Sequence, residues 1–133
     1  MIGREEEVEQ LRLLIDGIQD HAIYMLSPTG DVVSWNAGAE RIKGYRADEI
    51  IGQPYAKFFP PEDLAGKKPQ KLLELAAKTG RAEDEGWRVR KDGTIFWASA
   101  IISPIRDEHG VLRGFAKVTR DLTERRADEE RAR

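Results

Sequence analysis

The sequence predicts an α+β fold, one antiparallel sheet with short helices on one face. Three observations predict it. Two short β-type segments sit near the start, three more sit in the last third, and everything between them has helical punctuation. Strands grouped at both ends of a chain around a helical middle close into one sheet covered on one side.

The elements follow in order. Residues 4–19 read as a helix, because Val8, Leu11, Ile15 and Ile18 recur at 3–4–3 spacing with Leu14 beside them. The helix is too short to stand alone, and Gly17 costs it about 1 kcal/mol relative to alanine. Its apolar stripe must pack on something, either its own domain or a partner subunit. Ala22–Leu26 is a strand, Ser27-Pro28-Thr29-Gly30-Asp31 is turn chemistry, and Val32–Trp35 is the return strand. Asn36 stands where a cap belongs ahead of a helix over Ala37–Lys43, which Gly44 ends. Asp48 can cap a further turn holding Ile50 and Ile51. Pro54, Pro60 and Pro61 keep 53–61 irregular, and Pro69 starts a longer helix through Leu72, Leu73, Leu75 and Ala76 to Gly80.

The last third is a meander. Glu83–Arg90, Ile95–Ile105 and Val111–Arg120 are strands joined by Lys91-Asp92-Gly93 and by Asp107-Glu108-His109-Gly110. Asp121 followed by Glu124 reads as a capping box that opens a charged helix running to Arg133. That helix has almost no apolar face, so it reads as a connector to a further domain. The chain divides into a flanking helix over 1–20, a core over 21–120 and the start of a connector over 121–133.

Composition narrows the class of function. The chain has 133 residues, 40% of them hydrophobic and 35% charged, which suits one folded domain. It holds no cysteine, which removes thiol nucleophiles, disulfides and cysteine-ligated metals. A formal charge of −2 gives no electrostatic footprint for nucleic acid. The apolar runs fall far short of the roughly 20 residues a membrane span needs. Glu5, Glu6 and Glu7 stand where a secretory signal carries positive charge, so a cytoplasmic location is expected. No nucleophile elbow, phosphate loop or His-x-x-x-His pair is present, and no metal site is expected.

Several segments, taken together and in order, carry a resemblance. They are Val33-Ser34-Trp35-Asn36 with Ala39 and Glu40; Gly44-Tyr45 with Asp48-Glu49-Ile50-Ile51-Gly52; Arg90-Lys91-Asp92-Gly93 with Phe96-Trp97; Asp107 to Gly110 with Gly114-Phe115; and Asp121-Leu122-Thr123-Glu124-Arg125. In this order, over about 21–125, the chain resembles a PAS domain. The resemblance implies a five-stranded antiparallel sheet enclosing a pocket under short helices. It also implies a non-catalytic signalling module of a larger bacterial receptor such as a sensor histidine kinase. Signals would pass through the flanking helices to an output domain beyond this chain, often in a homodimer.

The family's cofactor types are tested by residue. Covalent flavin and cinnamoyl chromophores need a cysteine, which is absent. Oxygen-sensing haem members place a histidine on the long helix, and 69–79 has none; His21 lies at the start of a strand and His109 in a turn. No cofactor is expected, and an unidentified small ligand is left open.

Alternation assigns Phe96, Ala98, Ala100 and Ile102 to the pocket face and Trp97, Ser99, Ile101 and Ser103 to the other. The two alanines leave room, filled either by Ile42, Phe58, Phe59 and Leu73 or by a small ligand. Arg88 is expected across from Ala98 on the same face, answered by Asp84, by Glu85 or by an acidic ligand, or else reaching to the rim. On the opposite face Trp87, Val89 and Trp97 form an apolar patch, onto which the helix bearing Val8, Leu11, Ile15 and Ile18 is expected to pack, from its own chain or from a second one. By resemblance, Asp121 caps the exit helix and pairs with Arg125, and with Thr123 these residues transfer the signal.

Overall fold

The structure is a computed structural model that describes residues 3–132. Helix α1 covers Arg4–Gly17 and strand β1 His21–Leu26. Four short helical pieces follow: α2 (Ala37–Lys43), α3 (Ala47–Ile50), a 3-10 turn at Tyr55–Phe58 and α4 (Pro61–Ala65). Next come α5 (Lys68–Thr79), β2 (Ala82–Val89), β3 (Ile95–Arg106), β4 (Leu112–Asp121) and α6 (Thr123–Arg131). Arg133, the expected end of the exit helix, lies outside the described residues.

The sheet is antiparallel with order β1-β4-β3-β2, so the first and last strands of the core lie side by side. It has four strands rather than the five expected. The segment 31–35 makes only isolated bridges, Leu26 to Val32 and Asp31 to Pro54. Two backbone bonds, Val33 N–H to Met25 O and Ser27 N–H to Asp31 O, flank the first bridge, and side chains take over beyond it: the Ile23 and Met25 N–H groups donate to Asn36 Oδ1 (2.9 Å) and Ser34 Oγ (3.0 Å). Val32 turns its own N–H to Gln53 O and its carbonyl to the Gly52 N–H, away from β1.

Asn36 caps α2 as expected, accepting the Ala39 N–H at 2.8 Å, and its amide donates to the carbonyls of Ile15, Ile18 and His21. One side chain thus ties the end of α1, the start of β1 and the start of α2 together. Gly38 lets α2 lie this close, because a Cβ there would stand 2.0 Å from His21 O. Gly44 ends α2. The cap of α3 is at Arg46, whose N–H is taken by Glu49 Oε1 at 2.7 Å, so Asp48 lies inside the turn rather than before it. The proline-rich stretch is more ordered than expected. Pro61 holds the first position of α4, where a preset φ and a missing N–H cost nothing.

The apolar core lies between the helices and one sheet face, built around Tyr24, Leu26, Val32, Ile50, Phe58, Phe59, Ile102 and Phe115. Phe96, Ala98, Ala100 and Ile102 are all buried on that face, as alternation requires, while Trp97, Ser99 and Ile101 are half-buried on the other.

Candidate functional site

The inner face carries more charge than its sequence advertises. Arg88, Lys43 and Lys117 are each 0% exposed. Of the expected pocket residues, Phe58, Phe59, Leu73, Arg88, Phe96, Ala98, Ala100 and Ile102 are buried together, whereas Ile42 is only half-buried. Its neighbour Lys43 turns inward instead, one helical turn beyond the buried Ala39.

Arg88 stands opposite Phe96, with Gly86 opposite Ala98; the expected register was displaced. The hairpin closes with Arg90 N–H on Thr94 O at 2.8 Å, which pairs Val89 with Ile95 and draws Arg88 toward the turn. The guanidinium folds back over Gly86, where a Cβ would meet Nη1 at 3.4 Å. Nη2 reaches Asp84 Oδ2 at 2.6 Å, so Asp84 is the partner. Glu85 faces the other way and accepts Trp97 Nε1–H at 2.8 Å.

Cations and rings interleave through the interior. Arg88 lies 4.1 Å from the Phe59 centroid, Lys43 Nζ 4.2 Å from Phe58, and Arg90 4.5 Å from Phe96. Lys117 Nζ donates to the Tyr24 hydroxyl at 2.9 Å. Burial, reinforced by Arg88 and Arg90, holds the Lys43 amine well below the usual lysine range. Burial does the same to Lys117, with Lys43 and Arg88 adding to it and Asp84 opposing. Burial raises the Tyr24 and Tyr55 hydroxyls above theirs.

Sequence reasoning missed Lys43, Lys117 and Tyr24. Lys117 had a signal: it alternates with Phe115 and Thr119 on β4 and pairs with Ile102, on the inner face.

Of the two arrangements expected on the outer face, packing of α1 from its own chain does not occur. Trp87 and Trp97 face each other edge to face, 5.0 Å between centroids, but α1 does not cover them. Arg126 of α6 does, 4.1 Å from the Trp97 ring. Helix α1 buries none of its residues, and Val8, Leu11 and Ile15 stay exposed. The reason is topological. Asn36 anchors the end of α1 beside β1, the edge of the sheet opposite β2.

The exit joint also differs. Asp121 is the last residue of β4 and does not pair with Arg125, which bonds Glu129 instead. Asp121 Oδ1 accepts the Thr123 N–H at 2.9 Å, and Oδ2 accepts Arg90 Nη2–H at 2.9 Å. Thr123 Oγ1 accepts the Trp97 N–H at 2.9 Å, and Leu122 N–H donates to Trp97 O at 2.7 Å. The helix cap falls on Leu122, so the expected capping box between Asp121 and Glu124 does not form.

Among the described residues, no helix is long and apolar enough to cross a membrane, and no three His, Cys, Asp or Glu side chains gather into a metal-binding group.

Comparison with known proteins agrees with this architecture. The chain is 49% identical over 121 residues to two-component system protein A of Emericella nidulans, covering 91% of this chain and 18% of that protein. It is 29% identical to blue-light-activated histidine kinase 1 of Erythrobacter litoralis, covering 96% of this chain and 34% of the kinase. The chain therefore spans a minor part of the curated relatives it matches. The crystal structure of a PAS domain from Colwellia psychrerythraea superimposes with a TM-score of 0.80 at 26% identity, covering 89% of this chain and 98% of that one. Residues 20–124 match the PAS domain family, and with the sheet, the helical cover and these signalling relatives, the chain belongs to the PAS family of sensory domains.

Proposed function

We propose that this chain is the input module of a longer signalling protein. In this reading it takes up a small molecule beneath its helices and passes the effect through α6 to an output domain such as a histidine kinase. It binds and relays rather than catalyses, and it works in the cytoplasm. The observation that carries the relay is the double use of Asp121: one carboxylate oxygen holds the first N–H of α6 and the other holds Arg90 at the β2–β3 hairpin. A displacement of that hairpin is thereby coupled to the exit helix.

The relay is tested in a fusion of this chain to a histidine kinase output domain. Asp121→Asn and Arg90→Gln shift basal autophosphorylation in the same direction, and the double variant goes no further than either single one. Additive effects, or none, would sink the relay. Uptake of a small molecule is tested by comparing native and denatured masses of the purified chain, where a released mass supports it.

A second reading, dimerisation through α1, is favoured by one observation. Val8, Leu11 and Leu14 are 59%, 58% and 63% exposed on one helix. Sedimentation equilibrium tests it: a homodimer that Leu11→Glu splits supports the reading, and a monomer at all concentrations ends it.

A further inference from the structure

The cations of the interior outnumber their partners. Lys43, Arg88 and Lys117 are fully buried, and of the acidic side chains among the described residues only Asp84 pairs with any of them. Asp84 is itself shared with Lys68 at 3.2 Å. Among the described residues, Lys43 Nζ and Arg88 Nε find no hydrogen-bond partner. Lys43 and Lys117 share the same two rings, lying 5.6 and 5.4 Å from the Tyr24 centroid and 4.2 and 5.8 Å from that of Phe58.

A buried amine without a partner destabilises a fold, and an apolar residue of similar volume does better in the same place. Folding alone does not account for Lys43, and a partner that arrives from solution does. We propose that the interior around Lys43, Lys117 and Arg88 is the binding site of a small organic carboxylate with an apolar body. This rests on the sensory reading above and names the class of its ligand. A carboxylate accepts several N–H bonds and supplies the charge the cluster lacks. The rings of Tyr24, Phe58 and Phe59 match an apolar body. Inorganic phosphate, more heavily hydrated and with no apolar part, has nothing to set against those rings. An open cleft of about 440 Å³ lies between α2 and the β2–β3 hairpin, lined by Arg41, Ile42, Gly44, Arg90, Lys91 and Asp92. The Lys43 backbone adjoins that hairpin, its carbonyl accepting the Lys91 N–H at 2.9 Å.

Calorimetric titration and thermal unfolding of the 133-residue chain test the proposal. The probes are benzoate and hexanoate, with benzamide, hexanamide and inorganic phosphate as controls. The carboxylates are expected to bind and raise Tm, and the amides and phosphate are not. Lys43→Met is expected to unfold at a higher temperature than the parent when unliganded, yet to bind the carboxylates at least about tenfold more weakly, the loss of one charge-assisted hydrogen bond. A merely structural lysine would not separate these two readouts. Amides that bind as well as the acids would overturn the anionic class while leaving a ligand site in place. Lys43→Met binding with unchanged affinity would remove the cluster from the site. If neither carboxylate binds, the inference falls, and the native-mass comparison still decides independently whether the chain takes up a small molecule.

Discussion

Arg90 and Asp121 are 31 residues apart in the chain and are joined by a 2.9 Å ion pair at the point where the sheet becomes the exit helix. The pair is partly exposed, so its worth is modest. Its position matters more than its strength, because the other Asp121 oxygen holds Thr123.

Asp121→Ala is expected to cost about 1 kcal/mol of global stability and to affect α6 more than the core. Hydrogen exchange checks this: amides of 123–131 exchange faster while those of β3 are unchanged. Uniform acceleration across the sheet would mean that Asp121 holds the core rather than the joint.

Asn36→Ala removes a side chain that receives from Ile23 and Ala39 and donates to three carbonyls. The expected loss is about 3 kcal/mol, larger than for an ordinary cap, because several buried groups lose their partner at once. Denaturant unfolding measures it. A loss under about 1 kcal/mol would show that solvent replaces the network.

Trp97→Ala deletes the edge-to-face contact with Trp87, the bond to Glu85 and the surface under Arg126. About 2–3 kcal/mol is expected, since the ring is half-buried. The change should also free α6, read as faster exchange of the Arg126 amide. Removing α1 should leave the Trp97 fluorescence where it was.

Stability should depend on pH in an unusual way. Lys43 and Lys117 bind protons less readily folded than unfolded, so below the ordinary lysine pKa of about 10.4 the unfolded chain holds more protons and stability climbs with pH. Tyr24 and Tyr55 are shifted upward, so above about pH 10 the unfolded chain loses protons that the folded one keeps, and stability falls. Urea unfolding from neutral to strongly alkaline pH should peak near pH 10, a position set by the ordinary lysine and tyrosine values. Replacing both lysines by methionine should flatten the rising limb, and a rising limb that survives the replacement would assign it to other groups.

The strands and their faces were legible because a period of two is a strong signal. Phe96 to Ile102 alternate without a break, and every inward assignment on β3 agrees with its burial. Asn36 was legible as a cap because its chemistry is local. The exit joint was not, because Arg90 is the partner of Asp121 only once β2 and β3 have folded beside β4. Arg125, close in sequence, looked nearer than it is. The interior lysines were hidden for a different reason. Lysine usually marks solvent, so Lys43 and Lys117 read as surface on composition and as interior only on register and helical phase. The missing fifth strand was illegible because Ser34 and Asn36 imitate a ladder with side chains.

The pairing of β1 with β4 sets His21 against Arg120, so the backbone leaves the sheet beside the point where it came in. Gln19 and Asp20 share one cleft with Asp121, Thr123 and Glu124. In mechanical terms the hundred or so residues between them form a detour whose two ends stay neighbours. Such a part can be set between two helices of a longer protein without parting them.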